Sequence, residues 1–252
     1  MNTVTNGQIF LYETLGTAML LLFGCGVVAN AILAGTKGLG GGWLLINFGW
    51  GIGVYAGVYT AFPSSAHLNP AVTVSQLMVG NITVGQSLFY FLGEFLGAFL
   101  GAVLCWLSYR DHFDAEEDPA LKLAVFSTGP AIRSYGWNIA TEVIGTFVLI
   151  FLILISGGTP TQVGPLFVAL LVIGIGNSLG GPTGYAINPA RDLGPRIAHA
   201  VLPIKGKGSS DWGYSWVPVV APIVGAVLAT LLFQAIGAQS LIDAVKAAAT
   251  AK

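Results

Sequence analysis

Two copies of Asn-Pro-Ala, Asn69-Pro70-Ala71 and Asn188-Pro189-Ala190, stand out for what they could do chemically. Asn is a good helix N-cap, and Pro at the first helical position loses nothing, because that N–H has no helical partner. Each tripeptide therefore reads as a helix start. If both helices begin at the middle of a membrane, two positive dipole ends meet there. Such a site disfavours cations and offers two side-chain amides as donors. Asn-Pro alone is also a turn signal; two copies in matching places are far more specific. Upstream, Glu13-Thr14-Leu15-Gly16-Thr17 and Glu142-Val143-Ile144-Gly145-Thr146 both read E-x-x-G-T, 56 and 46 residues before their Asn. The chain thus carries an internal repeat. Ionisable residues that lie within apolar segments include Glu13, Glu94, Glu142 and Arg191. Charges at that depth are functional candidates by default.

The elements that must hold these residues are membrane helices. The chain has 252 residues, 54% of them apolar and only 8% charged, with a mean hydropathy of +0.77. Six runs read as spanning helices, which need about 20 residues: Ile9–Leu33, Trp43–Phe62, Gly85–Tyr109, Trp137–Ile155 and Ser215–Gly237, with Gly164–Leu179 the shortest of them. Two shorter runs, Leu68–Val79 and Ala186–Leu202, follow Ser-, Pro- and Gly-rich turns and carry the Asn-Pro-Ala copies. They read as re-entrant half-helices. Three spans separate the copies, so the second copy is inverted, which places a permeation site between the halves. The expected fold is an all-α membrane protein with six transmembrane helices and two half-helices in an inverted repeat. Residues 1–252 form one channel domain: 1–110 the first repeat, 111–136 an extracellular connecting loop, 137–240 the second repeat.

Other classes are excluded or weak. A net charge of -1 leaves no basic patch for nucleic acid. Cys25 and Cys105 are too few for a disulfide scaffold or a cysteine zinc site. No His or carboxylate stands at ligand spacing from His67, so no metal or other cofactor is expected. No nucleophile–base pair stands out, so the chain does not read as an enzyme. The first apolar run is too long, and lacks the basic leader, for a cleavable signal peptide. The acidic run Asp114, Glu116, Glu117, Asp118 reads as solvated loop, and Ala244–Lys252 as a tail without a signal. The stripes Gly93, Gly97, Gly101 and Gly49, Gly53, Gly57 read as close helix packing.

The motifs Ala66-His67-Leu68-Asn69-Pro70-Ala71-Val72-Thr73 and Gly184-Tyr185-Ala186-Ile187-Asn188-Pro189-Ala190-Arg191-Asp192-Leu193-Gly194-Pro195-Arg196, with the two E-x-x-G-T copies, resemble the aquaporin (major intrinsic protein) family. The resemblance is strongest to its glycerol-facilitator branch and covers nearly the whole chain. It implies a homotetramer with one pore per chain, set in the lipid bilayer of the cell membrane, with both termini cytoplasmic. Counting Lys and Arg by the positive-inside rule puts the termini outside, and the motif match outweighs those few charges.

By motif spacing the family's filter falls on Trp50, Gly176, Tyr185 and Arg191, and its pore centre on Asn69 and Asn188. Gly176, where water-selective members have His, leaves room for a carbon chain. Tyr185 stands where glycerol facilitators usually have Phe. Asp192, Arg196 and Pro218-Val219 fit the same branch. Trp50 and Tyr185 form an apolar wedge for glycerol's CH face, and Arg191 supplies donors for its oxygens. Carbonyls of Ser64–His67 and Gly181–Ala186 accept its hydroxyl protons; Ala66, His67 and Ala186 line the pore. The resemblance makes Glu13 and Glu142 supports for the re-entrant loops. Glu94 stands where the family usually has Gln, which raises a pH-sensing role beside a plain buried carboxyl. The leading function is a passive channel for glycerol, water and other small neutral solutes. A broad-range pore for protonated lactic acid and urea is the alternative within the fold. An ion-coupled secondary transporter is the alternative outside it.

Overall fold

The computed structural model describes residues 4–157 and 163–250. Those residues form α1 (Asn6–Ile32), α2 (Gly42–Thr60), α3 (Pro70–Met78), α4 (Val84–Ser108), α5 (Arg110–Ala115), α6 (Pro119–Phe126), α7 (Tyr135–Ser156), α8 (Pro165–Leu179), α9 (Pro189–Val201), α10 (Val217–Ala235) and α11 (Ala238–Thr250). Helices α1, α4, α7 and α10 are each long and apolar enough to cross a membrane. The glycine-rich α2, with 19 residues, and α8, with 15, complete the six expected runs. The half-helices α3 and α9 are the two short runs, trimmed to start at their prolines.

The order long helix, second helix, half-helix, long helix occurs twice, as α1–α4 and α7–α10. Helix α1 packs on α4 and α2, and α7 packs on α10. Glycines set the spacing. A Cβ on Gly97 of α4 would stand 2.4 Å from the Thr14 carbonyl oxygen of α1, and one on Gly225 of α10 would stand 2.6 Å from that of Val143 on α7. The predicted stripes therefore serve packing inside the chain, where backbones meet almost directly. Each half-helix reaches across to the other half: α9 lies on α4, and α3 lies on α10.

Burial is reversed relative to a water-soluble domain. Leu88, Leu92, Leu96, Leu100 and Leu104 form an exposed stripe down α4, while Glu13, Glu94, Arg196 and His199 are among the largest fully buried side chains. Apolar surface outside and hydrogen-bonded polar groups inside is what lipid solvent selects.

Two expectations change. The connecting stretch 111–136 contains α6 and most of α5. Its acidic run is not simply solvated: Glu116 accepts the Ala34 N–H at 3.0 Å and those of Glu117 and Asp118 at 2.9 Å, and Asp118 caps α6 through the Ala120 N–H at 2.8 Å. The described part of the C-terminal tail, to Thr250, is helical as the end of α11, whose buried Ala238 and Ile242 pack with Phe233 of α10.

Candidate functional site

The two half-helices start almost identically. Asn69 has φ -159° and ψ 117°, and Asn188 has φ -158° and ψ 109°. Asn69 Oδ1 accepts the Ala71 N–H at 2.9 Å; Asn188 Oδ1 accepts those of Ala190 at 3.0 Å and Arg191 at 3.2 Å. The amide nitrogens cross over. Asn69 Nδ2 donates to the Ile187 carbonyl at 2.9 Å, and Asn188 Nδ2 donates to that of Leu68 at 2.8 Å. An amide nitrogen has two hydrogens; one is spent on the opposite loop. Both residues line the central cavity.

The loops leading into these caps are strained. Ser65 (φ 73°), Ala66 (φ 50°) and Leu68 (φ 56°) in the first, and Tyr185 (φ 39°) and Ile187 (φ 42°) in the second, are left-handed without being glycine. Such residues cost roughly 1–3 kcal/mol each and persist only when their surroundings hold them. Glu13 holds the first loop, accepting the Ser64 hydroxyl at 2.7 Å and the His67 and Leu68 N–H groups at 3.0 and 2.7 Å. Glu142 holds the second, accepting the Ala186 and Ile187 N–H groups, both at 2.9 Å. The alternation turns carbonyls away from these supports. The row of free acceptors begins one residue later than expected, because the Tyr90 hydroxyl takes the Ser64 carbonyl at 2.5 Å.

The cavity measures about 290 Å³. Ala66, His67 and Asn69 reach it from the first loop, Ala186 and Asn188 from the second, and Trp50, Tyr185 and Arg191 complete its polar and aromatic wall. Aliphatic side chains such as Val58, Val72, Leu149 and Val172 line other parts. Glu13, Glu142 and Gly176 are not among its walls. The Arg191 guanidinium lies 4.0 Å from the centre of the Trp50 ring, and its Nη1 donates to the Phe126 carbonyl at 3.2 Å. Trp50 in turn fills the space above Gly24, where a Cβ would meet its ring at 2.2 Å.

Gly176 acts at one remove. A Cβ there would stand 2.8 Å from Tyr185 Cζ and 2.5 Å from Asn47 Oδ1. The missing side chain seats the tyrosine ring, which also lies edge-on to Trp43 at 5.8 Å. Trp43 Nε1 donates to the Gly176 carbonyl at 2.9 Å. The Tyr185 hydroxyl is sealed and without a protein partner, so the ring alone faces the lumen.

Charge anchors the second half-helix. Asp192 and Arg196, both fully buried, pair at 2.8 Å. Asp192 accepts the Thr128 N–H and hydroxyl at 2.7 and 2.6 Å. Arg196 donates to the carbonyls of Thr128, Ser210 and Asp211 at 2.9, 2.8 and 3.2 Å. The pair staples both outer loops to α9 and keeps the Phe126 carbonyl on Arg191. At the surface the Arg133–Asp211 pair joins the same loops, and its hydrogen bonds push the Arg133 guanidinium pKa up.

Known proteins are similar to this chain in sequence and fold. The model of the family described as "Major intrinsic protein" matches residues 1–233. A probable glycerol uptake facilitator protein of Thermotoga maritima is 50% identical over 229 residues, covering 90% of this chain and 98% of that one. The D/L-lactic acid transporter of Lactiplantibacillus plantarum is more distant, 41% identical over 222 residues, covering 86% and 92%. The X-ray structure of the aquaglyceroporin from Plasmodium falciparum superposes with a TM-score of 0.83 at 31% identity, covering 95% of this chain and 99% of that one. The chain belongs to the major intrinsic protein family. Major intrinsic proteins are membrane channels rather than enzymes, and the all-helical fold found here is shared with the solved aquaglyceroporin.

Several parts of the site have no counterpart in the residue-by-residue expectation. Phe126 contributes only a carbonyl, Gly24 seats the Trp50 ring, Trp43 packs on Tyr185, and Asn47 fills space beside Gly176. Asp192 and Arg196 were visible as motif residues, but their i,i+4 spacing on a half-helix was the available sign of an ion pair.

Proposed function

We propose that the chain is a passive channel for glycerol and other small uncharged solutes, and for water, that excludes ions and protons. The observation that carries this reading is Arg191 stacked 4.0 Å over Trp50 within the cavity wall. The cavity wall there presents N–H donors next to aromatic surface. A polyol has the matching pair of faces, a row of hydroxyl oxygens and a row of CH groups. Carbonyls of the two left-handed loops take its hydroxyl hydrogens. Two helix N-termini and a guanidinium repel cations, and the two Asn amides, both donors, interrupt a proton-conducting chain of water.

Trp50, Tyr185 and Arg191 form the filter in this reading, with Gly176 behind them as the seat of Tyr185, Asn69 and Asn188 the pore centre, Ala66, His67 and Ala186 the lining, and Glu13 and Glu142 the supports. The sealed Tyr185 hydroxyl gives no special contact to lactic acid. Glu13 and Glu142 are occupied with loop N–H groups and lie off the lumen, and no carboxylate among the described residues lines the cavity, which leaves an ion-coupled transporter without a pore-facing acid. The family resemblance supports repeats at 1–110 and 137–240, a homotetramer, and a cell-membrane location with both termini cytoplasmic.

Light-scattering flux in proteoliposomes tests the reading, comparing water, glycerol, urea and lactate at low and neutral pH. Glycerol is expected to equilibrate rapidly without an ion gradient. Water flux without glycerol flux, or uphill accumulation under an ion gradient, would overturn it.

A further inference from the structure

A buried relay runs from Glu94 to the lumen. Thr73 Oγ1 lies 2.6 Å from Glu94 Oε1 and 2.9 Å from His67 Nδ1. All three residues are buried, and the His67 ring, stacked on Tyr90 at 3.8 Å, is part of the cavity wall. Nδ1 is engaged by Thr73, so Nε2 is the ring nitrogen left for the lumen.

A threonine hydroxyl has one hydrogen, so the relay has a polarity. If Thr73 donates to Glu94, it must accept from Nδ1–H, and Nε2 shows the lumen a lone pair. If Glu94 donates to Thr73, the hydroxyl donates to Nδ1, and Nε2 carries the hydrogen. The surroundings of Glu94 choose between these. Its Oε2 is buried without a close hydrogen bond, the Asn69 N–H lies near the carboxyl, and Glu94 makes no ion pair among the described residues. The titratable groups facing it are Glu13 from α1, Tyr90 from its own helix and His67 itself, none of them a compensating cation. A buried carboxylate so placed bears an uncompensated charge. A neutral acid with its hydrogen on Oε2 strands a donor, whereas one with it on Oε1 uses the 2.6 Å contact and leaves only an acceptor unfilled, the more tolerable defect.

We propose that Glu94 is a positioning residue that acts through Thr73 to hold His67 as the Nε2–H tautomer, giving the lumen a fixed donor beside the Asn pair. Only the consequence for solutes rests on the cavity being the conduction path; the tautomer itself is measured without solute.

The test is ¹⁵N solid-state NMR of the full chain in lipid bilayers at neutral pH. Wild type should show His67 Nε2 in the protonated range and Nδ1 in the unprotonated range. Glu94→Gln, whose amide also donates to Thr73, should keep that pattern. Thr73→Val and Glu94→Leu should give both tautomers, and the His112 and His199 signals report that each variant is folded. A wild-type Nδ1–H tautomer, or a pattern unmoved in both Thr73→Val and Glu94→Leu, overturns the proposal. Loss of glycerol flux with the tautomer intact would instead count against the proposed function.

Discussion

The two re-entrant loops solve one geometric problem with different chemistry. Each ends on an Asn cap, each is gripped by a glutamate, and each accepts a hydrogen bond from the other's amide. Beyond that they diverge. The first loop is backed by a chain of Tyr90, His67, Thr73 and Glu94 that contains no ion pair among the described residues. The second is backed by the Asp192–Arg196 ion pair and two outer loops. The half that must present a guanidinium to the lumen is the half braced by charge. Arg191 has to be aimed to within a hydrogen bond, and the Phe126 carbonyl that aims it comes from the end of α6, where the chain enters a loop far away in sequence. A fully buried ion pair with its remaining donors on carbonyls is a rigid way to bring such a loop home.

That difference can be broken first at Arg196. Arg196→Leu leaves Asp192 buried without its partner and strips three carbonyls of a donor. Removing one member of a buried pair costs about 3–5 kcal/mol, so the variant should unfold far earlier in detergent or fail to accumulate. Arg133→Ala removes the exposed pair that joins the same loops and should cost no more than about 1 kcal/mol. Thermal unfolding of the two variants side by side decides the matter; equal losses would mean that the buried pair is not the brace.

The similarity of the loops is sharpened by Glu13→Gln and Glu142→Gln. In each, the amide keeps one acceptor oxygen and turns an NH₂ toward a loop N–H, stranding one donor. The expected loss is about 1–3 kcal/mol at either site, with glycerol flux reduced in both. A cost confined to one loop would show that the two glutamates are not equivalent supports.

Much of this was readable from the chain alone. The Asn-Pro-Ala copies, the E-x-x-G-T copies and the apolar runs are local signals, because caps and periodicity depend on near neighbours. Other features depend on partners distant in sequence. Phe126 acts through a backbone carbonyl, which no residue type announces. Gly176 could be read as empty space, yet only the fold shows that Tyr185 and Asn47 fill it. The acidic run of the connecting stretch looked like solvated charge, since nothing in it signals that Glu116 caps Ala34, 82 positions away. Ala238 and Ile242 mark a helix only once α10 is there to bury them.

A smaller effect is expected at the aromatic wall. Trp50→Leu keeps an apolar surface but removes the ring beneath Arg191, a contact worth roughly 0.5–2 kcal/mol. The guanidinium then loses its fixed plane, so discrimination between glycerol and longer linear polyols should fall several-fold while water flux persists. Competition of polyols in the stopped-flow assay measures this. Unchanged discrimination would remove Trp50 from the filter and leave Arg191 and Tyr185 to account for it.

The smallest effect belongs to Tyr185→Phe, and its smallness is the point. The hydroxyl is buried with no partner, while the ring rests on the faces of Gly176 and Gly180. Removing an unpaired buried polar group should be neutral or slightly stabilising, and the lumen meets the same ring before and after. Glycerol and lactate flux should therefore both stay within about twofold of wild type, a change under about 0.5 kcal/mol. A selective loss of lactate flux would mean that the hydroxyl swings into the lumen during conduction. The tyrosine would then be a polar contact of the second loop, and the contrast between a guanidinium face and a purely aromatic face would have to be redrawn.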